Sequence, residues 1–255
     1  VVGEFLKGDY DYVSNTIAYT FPDGLDTEVF SFESLENAWK NAKLPSEREH
    51  VTPYIRNCGK FKAKNFPSPK GYHLYRLTLD TPEDYEFIKR VYEGIGSDMF
   101  HLDDTVSFLE NNPNLLRINQ YIKMNEGYER SLFLDKIADA RNAVMTGDRL
   151  YLRALKEIGE KRTRTDGLFY GIFLKDGDEH IGNIKLEAID FGNKTAHLCT
   201  SINETGVHSR EIESEAIKLI THYVFSKLSL VKITLVVDSE NKPVTTVILN
   251  PGSED

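Results

Sequence analysis

Leu168-Phe169-Tyr170-Gly171-Ile172-Phe173-Leu174, then Lys175-Asp176-Gly177-Asp178, then His180-Ile181-Gly182-Asn183-Ile184-Lys185-Leu186 follow one another almost without a break. They read as a strand, a hairpin turn and a returning strand, with Gly177 supplying the positive φ that a tight turn needs. Working outward, residues 149–155 alternate as an earlier strand and residues 195–202 form a later one. Residues 211–228 carry Ala216, Ile217, Ile220, Tyr223, Val224 and Leu228 at helical spacing. Residues 231–237 give a further strand.

The upstream half has different punctuation. Ser31 caps a helix with Phe32, Leu35, Ala38, Trp39 and Ala42 on one face. Ser46 and Glu49 have the spacing of a capping box. Residues 72–79 alternate as a strand. Thr81-Pro82-Glu83-Asp84 then starts a helix, with Thr as cap, Pro at the first position and acids in the first turn. Tyr85, Ile88, Val91 and Tyr92 give that helix its buried stripe, and Gly94 and Gly96 stop it. Asp80 is thereby placed at the carboxyl end of a strand, where open α/β sheets hold ligands. Fixing the turn is the competing role for the same residue. Residues 133–148 are charged and helix-compatible, a linker helix between the halves.

A chain of 255 residues can bury one large core or two ordinary ones. The net charge of −9 is shared by two mildly acidic halves, which argues against a nucleic-acid or anionic-membrane surface. No apolar run reaches membrane-spanning length, and no basic-then-apolar secretion pattern opens the chain. Cys58 and Cys199 are far apart, so the cytoplasm is the expected compartment. The first residues, Val1-Val2-Gly3, read as the continuation of something upstream.

Asp11-Tyr12-Val13-Ser14-Asn15, Pro22-Asp23-Gly24-Leu25-Asp26-Thr27-Glu28, Glu47-Arg48-Glu49-His50-Val51-Thr52-Pro53, Leu79-Asp80-Thr81-Pro82-Glu83-Asp84 and Asn125-Glu126-Gly127-Tyr128-Glu129-Arg130-Ser131-Leu132 stand in one collinear order. On these, residues 1–132 resemble the C-terminal part of cytidylyltransferases of the spore-coat-polysaccharide type, relatives of the CMP-sugar synthetases. The resemblance implies an α/β fold, part of a Rossmann-like nucleotidyltransferase sandwich. It also implies CTP with Mg²⁺, and Asp80 as the metal ligand, since Mg²⁺ takes one or two carboxylates beside phosphates and water. The family's CTP cradle belongs upstream of Tyr12, so this half alone is expected not to bind CTP productively. Asp26, Glu28, Glu49 and His50 are candidates for the sugar-acid end of the pocket, against ordinary surface and capping roles. An anionic sugar needs a cation as well, and Arg48 and Arg76 are the candidates.

The meander of strands, the helix and the next strand resemble the GNAT N-acetyltransferase superfamily, in the branch of ribosomal-protein and amino-sugar acetyltransferases. Residues 149–255 are then a partial GNAT domain of the α+β class. The resemblance implies acetyl-CoA, an oxyanion donor among the backbone N–H groups of Thr200, Ser201 and Ile202, and Glu187 or Glu204 as base. It places the coenzyme's phosphates near Ser209, Arg210 and Ser214, with Asn241 further on. Two features depart from the pattern. Residues 155–167 are too short for the family's two helices, and residues 244–249 are β-branched and favour strand over helix. Glu211 and Glu213 stabilise the helix dipole by roughly 0.3–1 kcal/mol each. Facing a pyrophosphate at about 5 Å, each costs on the order of 3 kcal/mol at an effective dielectric of about 20. Acetyl-CoA is therefore expected to bind weakly. His197 and His222 read as packing or surface residues, and Cys199 as an inert thiol on a core strand.

Together the resemblances imply surface-polysaccharide or nonulosonic-acid biosynthesis, with a nucleotide sugar or acidic sugar as substrate and both regions incomplete. The alternative is a non-catalytic scaffold or remodelled fragment that keeps the folds. Unpaired sheet edges favour self-association into a homo-oligomer.

Overall fold

The computed structural model describes residues 1–155, 167–203, 207–237 and 245–249. The chain divides into two compact units, Val1–Glu129 and Arg130–Asp255.

The first unit is mixed α/β. Its elements are α1 (Val2–Lys7), β1 (Tyr12–Ser14), β2 (Glu28–Phe30), α2 (Phe32–Asn41), α3 (Pro45–His50), α4 (Pro53–Asn57), β3 (Ala63–Asn65), α5 (Pro82–Ile95) and α6 (Leu102–Asn111). The sheet runs β2-β1-β3, with β1 antiparallel to β2 and parallel to β3. Ser31 caps α2 as expected, its Oγ accepting from Ser34 N at 3.1 Å. Ala38 packs with Tyr12, Tyr54 and Ile55, but Trp39 is 67 % exposed, so the apolar stripe is narrower than its sequence suggests. The box at α3 uses Glu47 rather than Glu49. Its carboxylate accepts from Lys43 N at 2.9 Å and Leu44 N at 3.1 Å, because Pro45 starts the helix one residue before Ser46.

Residues 72–79 do not form a strand, and their first part is a turn in which Tyr75 N donates to Tyr72 O at 3.1 Å. Their sheet pairing is one bridge, Asp23 to Arg76, with Asp23 N donating to Tyr75 O at 3.0 Å and Leu77 N to Asp23 O at 2.8 Å. The partner segment ends at Gly24, whose φ of 97° turns the chain away. A side chain there would meet the Leu77 and Thr78 backbone at 2.7 Å. Thr81 caps α5, Pro82 opens it, and Gly96 closes it in the left-handed region. The stripe of α5 is rotated from the expected one. Asp84, Phe87 and Val91 are buried, while Tyr85 and Tyr92 face outward, because Asp84 is turned in to meet Arg76.

Helix α7 (Glu126–Ala140) follows, and its Ile137 and Ala140 join the core of the second unit. Residues 133–148 are helical only as far as Ala140. Val144–Thr146 is β4, because Met145 turns into the same core. The sheet of the second unit comprises β4, β5 (Leu150–Ala154), β6 (Leu168–Leu174), β7 (His180–Asp190), β8 (Thr195–Ile202), β9 (Lys232–Val237) and β10 (Thr245–Leu249). Its order is β10-β9-β8-β7-β6-β5-β4, antiparallel except for the parallel pair β8 and β9. Gly177 makes the β6–β7 turn at φ 83°. Helix α8 (Val207–Tyr223) passes into a wider turn over Val224–Leu228. Ala216, Ile220, Val224 and Leu228 pack with Leu152, Ile172, Ile184 and Leu198. The β-branched run that favours strand over helix is β10. Among the described residues no helix is long and apolar enough to cross a membrane.

Candidate functional site

The first unit holds a cleft of about 700 Å³ whose lining includes Asp23, Asp26, His50, Arg76, Asp80 and Tyr128. Four separate segments supply these residues. Arg76 is the anchor. Its Nε and Nη2 donate to the two oxygens of Asp84 at 3.0 and 2.9 Å, and its Nη1 donates to Asp23 at 3.0 Å. Asp84 also accepts from Thr78 Oγ1 at 2.8 Å, Asn119 Nδ2 at 2.9 Å and the Asp80 N–H at 3.1 Å. Burial works to raise the Asp84 carboxyl, but the bonds from Arg76, Asn119 and Thr78 overcome it and hold it well below the usual range. Asp23 is pushed the other way, by burial first and then by Asp80 and Asp84, against the pull of Arg76. The His50 and Tyr128 rings meet edge-on at 5.3 Å.

Of the four sugar-end candidates, Asp26 and His50 line this cleft, together with the metal candidate Asp80. Glu28 and Glu49 do not. Glu28 accepts from Tyr12 Oη and, at 3.0 Å, from Thr52 Oγ1. Glu49 stands 4.0 Å from His50 Nε2. Asp23 and Tyr128 lie inside quoted motifs, yet nothing local marks them as neighbours; the glycine after Asp23 is the one sequence signal. Among the described residues no group of three His, Cys, Asp or Glu side chains could hold a metal. Asp80 is 73 % exposed and 3.6 Å from Arg76 Nη2. It fits Mg²⁺ as a single open carboxylate beside phosphates, whereas the neighbouring Asp84 is fully engaged.

In the second unit the parallel ladder runs from Thr195 opposite Lys232 to Cys199 opposite Val236. Beyond it, Thr200, Ser201 and Ile202 pair with β7 through Ile184, Asn183 and Gly182, and among the described residues they have no partner on the β9 side. Residues 238–244, which follow Val237, lie outside those described. Gly182 permits the approach, since a side chain there would lie 2.4 Å from Ser201 O.

The acids of α8 are engaged. Arg149 bonds Glu211 at 2.6 Å through Nη1 and Glu215 at 3.2 Å through Nε. Glu213 accepts from Thr200 Oγ1 at 2.5 Å, which sets a carboxylate beside β8. Arg210 and Ser214 line a second cavity, of about 640 Å³, with Arg149 and Lys218. Ser209 lies in the first turn of α8, while Glu204 and Asn241 fall outside the described residues. Glu187 is held by Lys185 at 2.5 Å, which outweighs burial and keeps its carboxyl below the usual range. A carboxylate so stabilised is a weak proton acceptor. Burial, then the charge of Glu187, pushes the Cys199 thiol up, as suits an inert cysteine. Glu213 thus places a negative charge beside Thr200, which disfavours anions close by.

Residues 136–253 match the family model described as the acetyltransferase (GNAT) domain. An uncharacterized protein of Methanocaldococcus jannaschii is 37% identical over 123 residues, 46% of this chain and 49% of that protein. The spore coat polysaccharide biosynthesis protein SpsF of Bacillus subtilis is 32% identical over 111 residues, 42% of this chain and 44% of that protein. A cytidylyltransferase structure from Leptospira borgpetersenii is 35% identical with a TM-score of 0.44, covering 48% of this chain and 52% of that one. The chain spans about half the length of these relatives. The chain is therefore similar to SpsF over its first half and matches the acetyltransferase (GNAT) domain model over residues 136–253.

Proposed function

We propose that this chain serves surface-polysaccharide biosynthesis in the cytoplasm. The first unit handles a CMP-activated sugar and the second transfers an acetyl group to an amino sugar. What supports this reading is the match of residues 136–253 to the acetyltransferase (GNAT) domain, joined to a first half similar to SpsF. Acetyl-CoA, when bound, would supply a thioester open to attack by an amine. Backbone N–H groups among Thr200, Ser201 and Ile202 then stabilise the oxygen that gains charge. Glu187 is the candidate for accepting the amine proton, a base weakened by its ion pair with Lys185, and Arg210 and Ser214 would face the phosphates. In the first unit Asp80 would hold Mg²⁺ beside nucleotide phosphates, while Asp26 and His50 would meet the sugar.

Acetyl-CoA and a panel of UDP-amino sugars, with free thiol as readout, test the reading. Release that requires an amino sugar is expected. A second reading, a scaffold that keeps the folds without activity, is favoured by the Thr200–Glu213 bond, because it sets a negative charge beside the backbone candidates. Thiol release at the blank rate, in both the native chain and Glu213→Gln, would decide for the scaffold.

A further inference from the structure

The charged groups of the first-unit cleft bear on which sugar it takes. An incoming sugar carboxylate needs a free guanidinium fork or ammonium group. Arg76 cannot provide one: it is 8 % exposed, and three of its N–H groups are bonded to Asp84 and Asp23. Lys123, the other cation on the lining, is paired with Glu129. Arg48 donates to Trp39 O at 2.9 Å and lies away from the lining. Arg56 is not on the lining either; it sits 5.7 Å over the Tyr128 ring, and its charge reaches Asp26 without a direct ion pair. Asp26 lines the cleft with no hydrogen bond or ion pair among the described residues, and Asp80, on the same lining, is open to solvent.

We infer that this cleft selects a sugar bearing a protonated amine over a sugar acid, with Asp26 as the residue that sets the preference. The inference rests on reading the cleft as a sugar site, and it brings both units to one class of molecule. The amine that the second unit would acetylate is the group the first unit recognises.

The test is calorimetry on the whole chain at about pH 6.5, where an amino sugar is protonated. Glucosamine, N-acetylglucosamine and glucuronate are the probes. Glucosamine is expected to bind at least about tenfold more tightly than glucuronate, with N-acetylglucosamine between them. Asp26→Asn, an exposed substitution, is expected to shrink that ratio about fivefold while leaving the melting temperature unchanged. Glucuronate binding as tightly as glucosamine, no binding of any probe, or an unchanged ratio in Asp26→Asn would overturn the inference. A parallel titration with CTP and Mg²⁺ separates the two claims. Nucleotide binding without sugar discrimination removes the charge selection and leaves the nucleotide-sugar reading standing.

Discussion

Arg76 and Asp84 are each buried with a full charge, and each is tolerable only because of the other. Removing one partner of such a pair leaves an uncompensated charge, at a cost of about 3–5 kcal/mol. Arg76→Met should therefore destabilise the first unit by that amount in urea melts, and adding Asp84→Leu should recover much of it. The pH dependence follows from the direction of each shift. Asp84 is depressed on folding, so its contribution is fully present above the unfolded value near 4 and is lost as pH falls toward the folded one. Asp23 is raised, so its charge opposes folding near neutrality and the penalty lifts on acidification. Urea melts of Asp84→Asn should show a large deficit at pH 7 that narrows by pH 3; Asp23→Asn should show a small one. None of this was legible in the sequence, where Arg76 is one polar residue in an alternating stretch and Asp84 an ordinary acid in a first helical turn.

Elements differ in how much of themselves they announce. Strands β6, β7 and β8 carry their own alternation and a glycine turn, so local sequence sufficed. The segment over residues 72–79 alternates too, yet its neighbour stops at Gly24 and no ladder forms. Helix α5 was legible from its cap, but its buried face was not, because the Arg76–Asp84 pair overrides the apolar stripe. For the site, Asp26, His50 and Asp80 could be named from motifs, whereas the grouping of Asp23, Arg76 and Tyr128 is a product of the fold. At β8 and α8 the predicted outcome concerns Glu213. Glu213→Gln keeps a partner for Thr200 and removes a charge from beside it. It should tighten acetyl-CoA binding about tenfold in a thermal-shift titration. Lys185→Met should raise the Glu187 carboxyl, visible as an upward shift of the acidic limb of the pH–rate profile.

At the scale of the molecule, each unit has its own core. Amide exchange should therefore report Arg76→Met as faster opening around Phe87, Val91 and Leu109, with the second-unit core at Leu152, Ile172 and Ile220 unchanged. The most direct measurement follows backbone amide resonances of the full chain as acetyl-CoA is added. Weak, saturable shifts centred on Thr200, Ser201 and Ile202 are predicted. Shifts centred elsewhere, or none at saturating coenzyme, would contradict the proposal that the acetyl donor meets β8 at these residues.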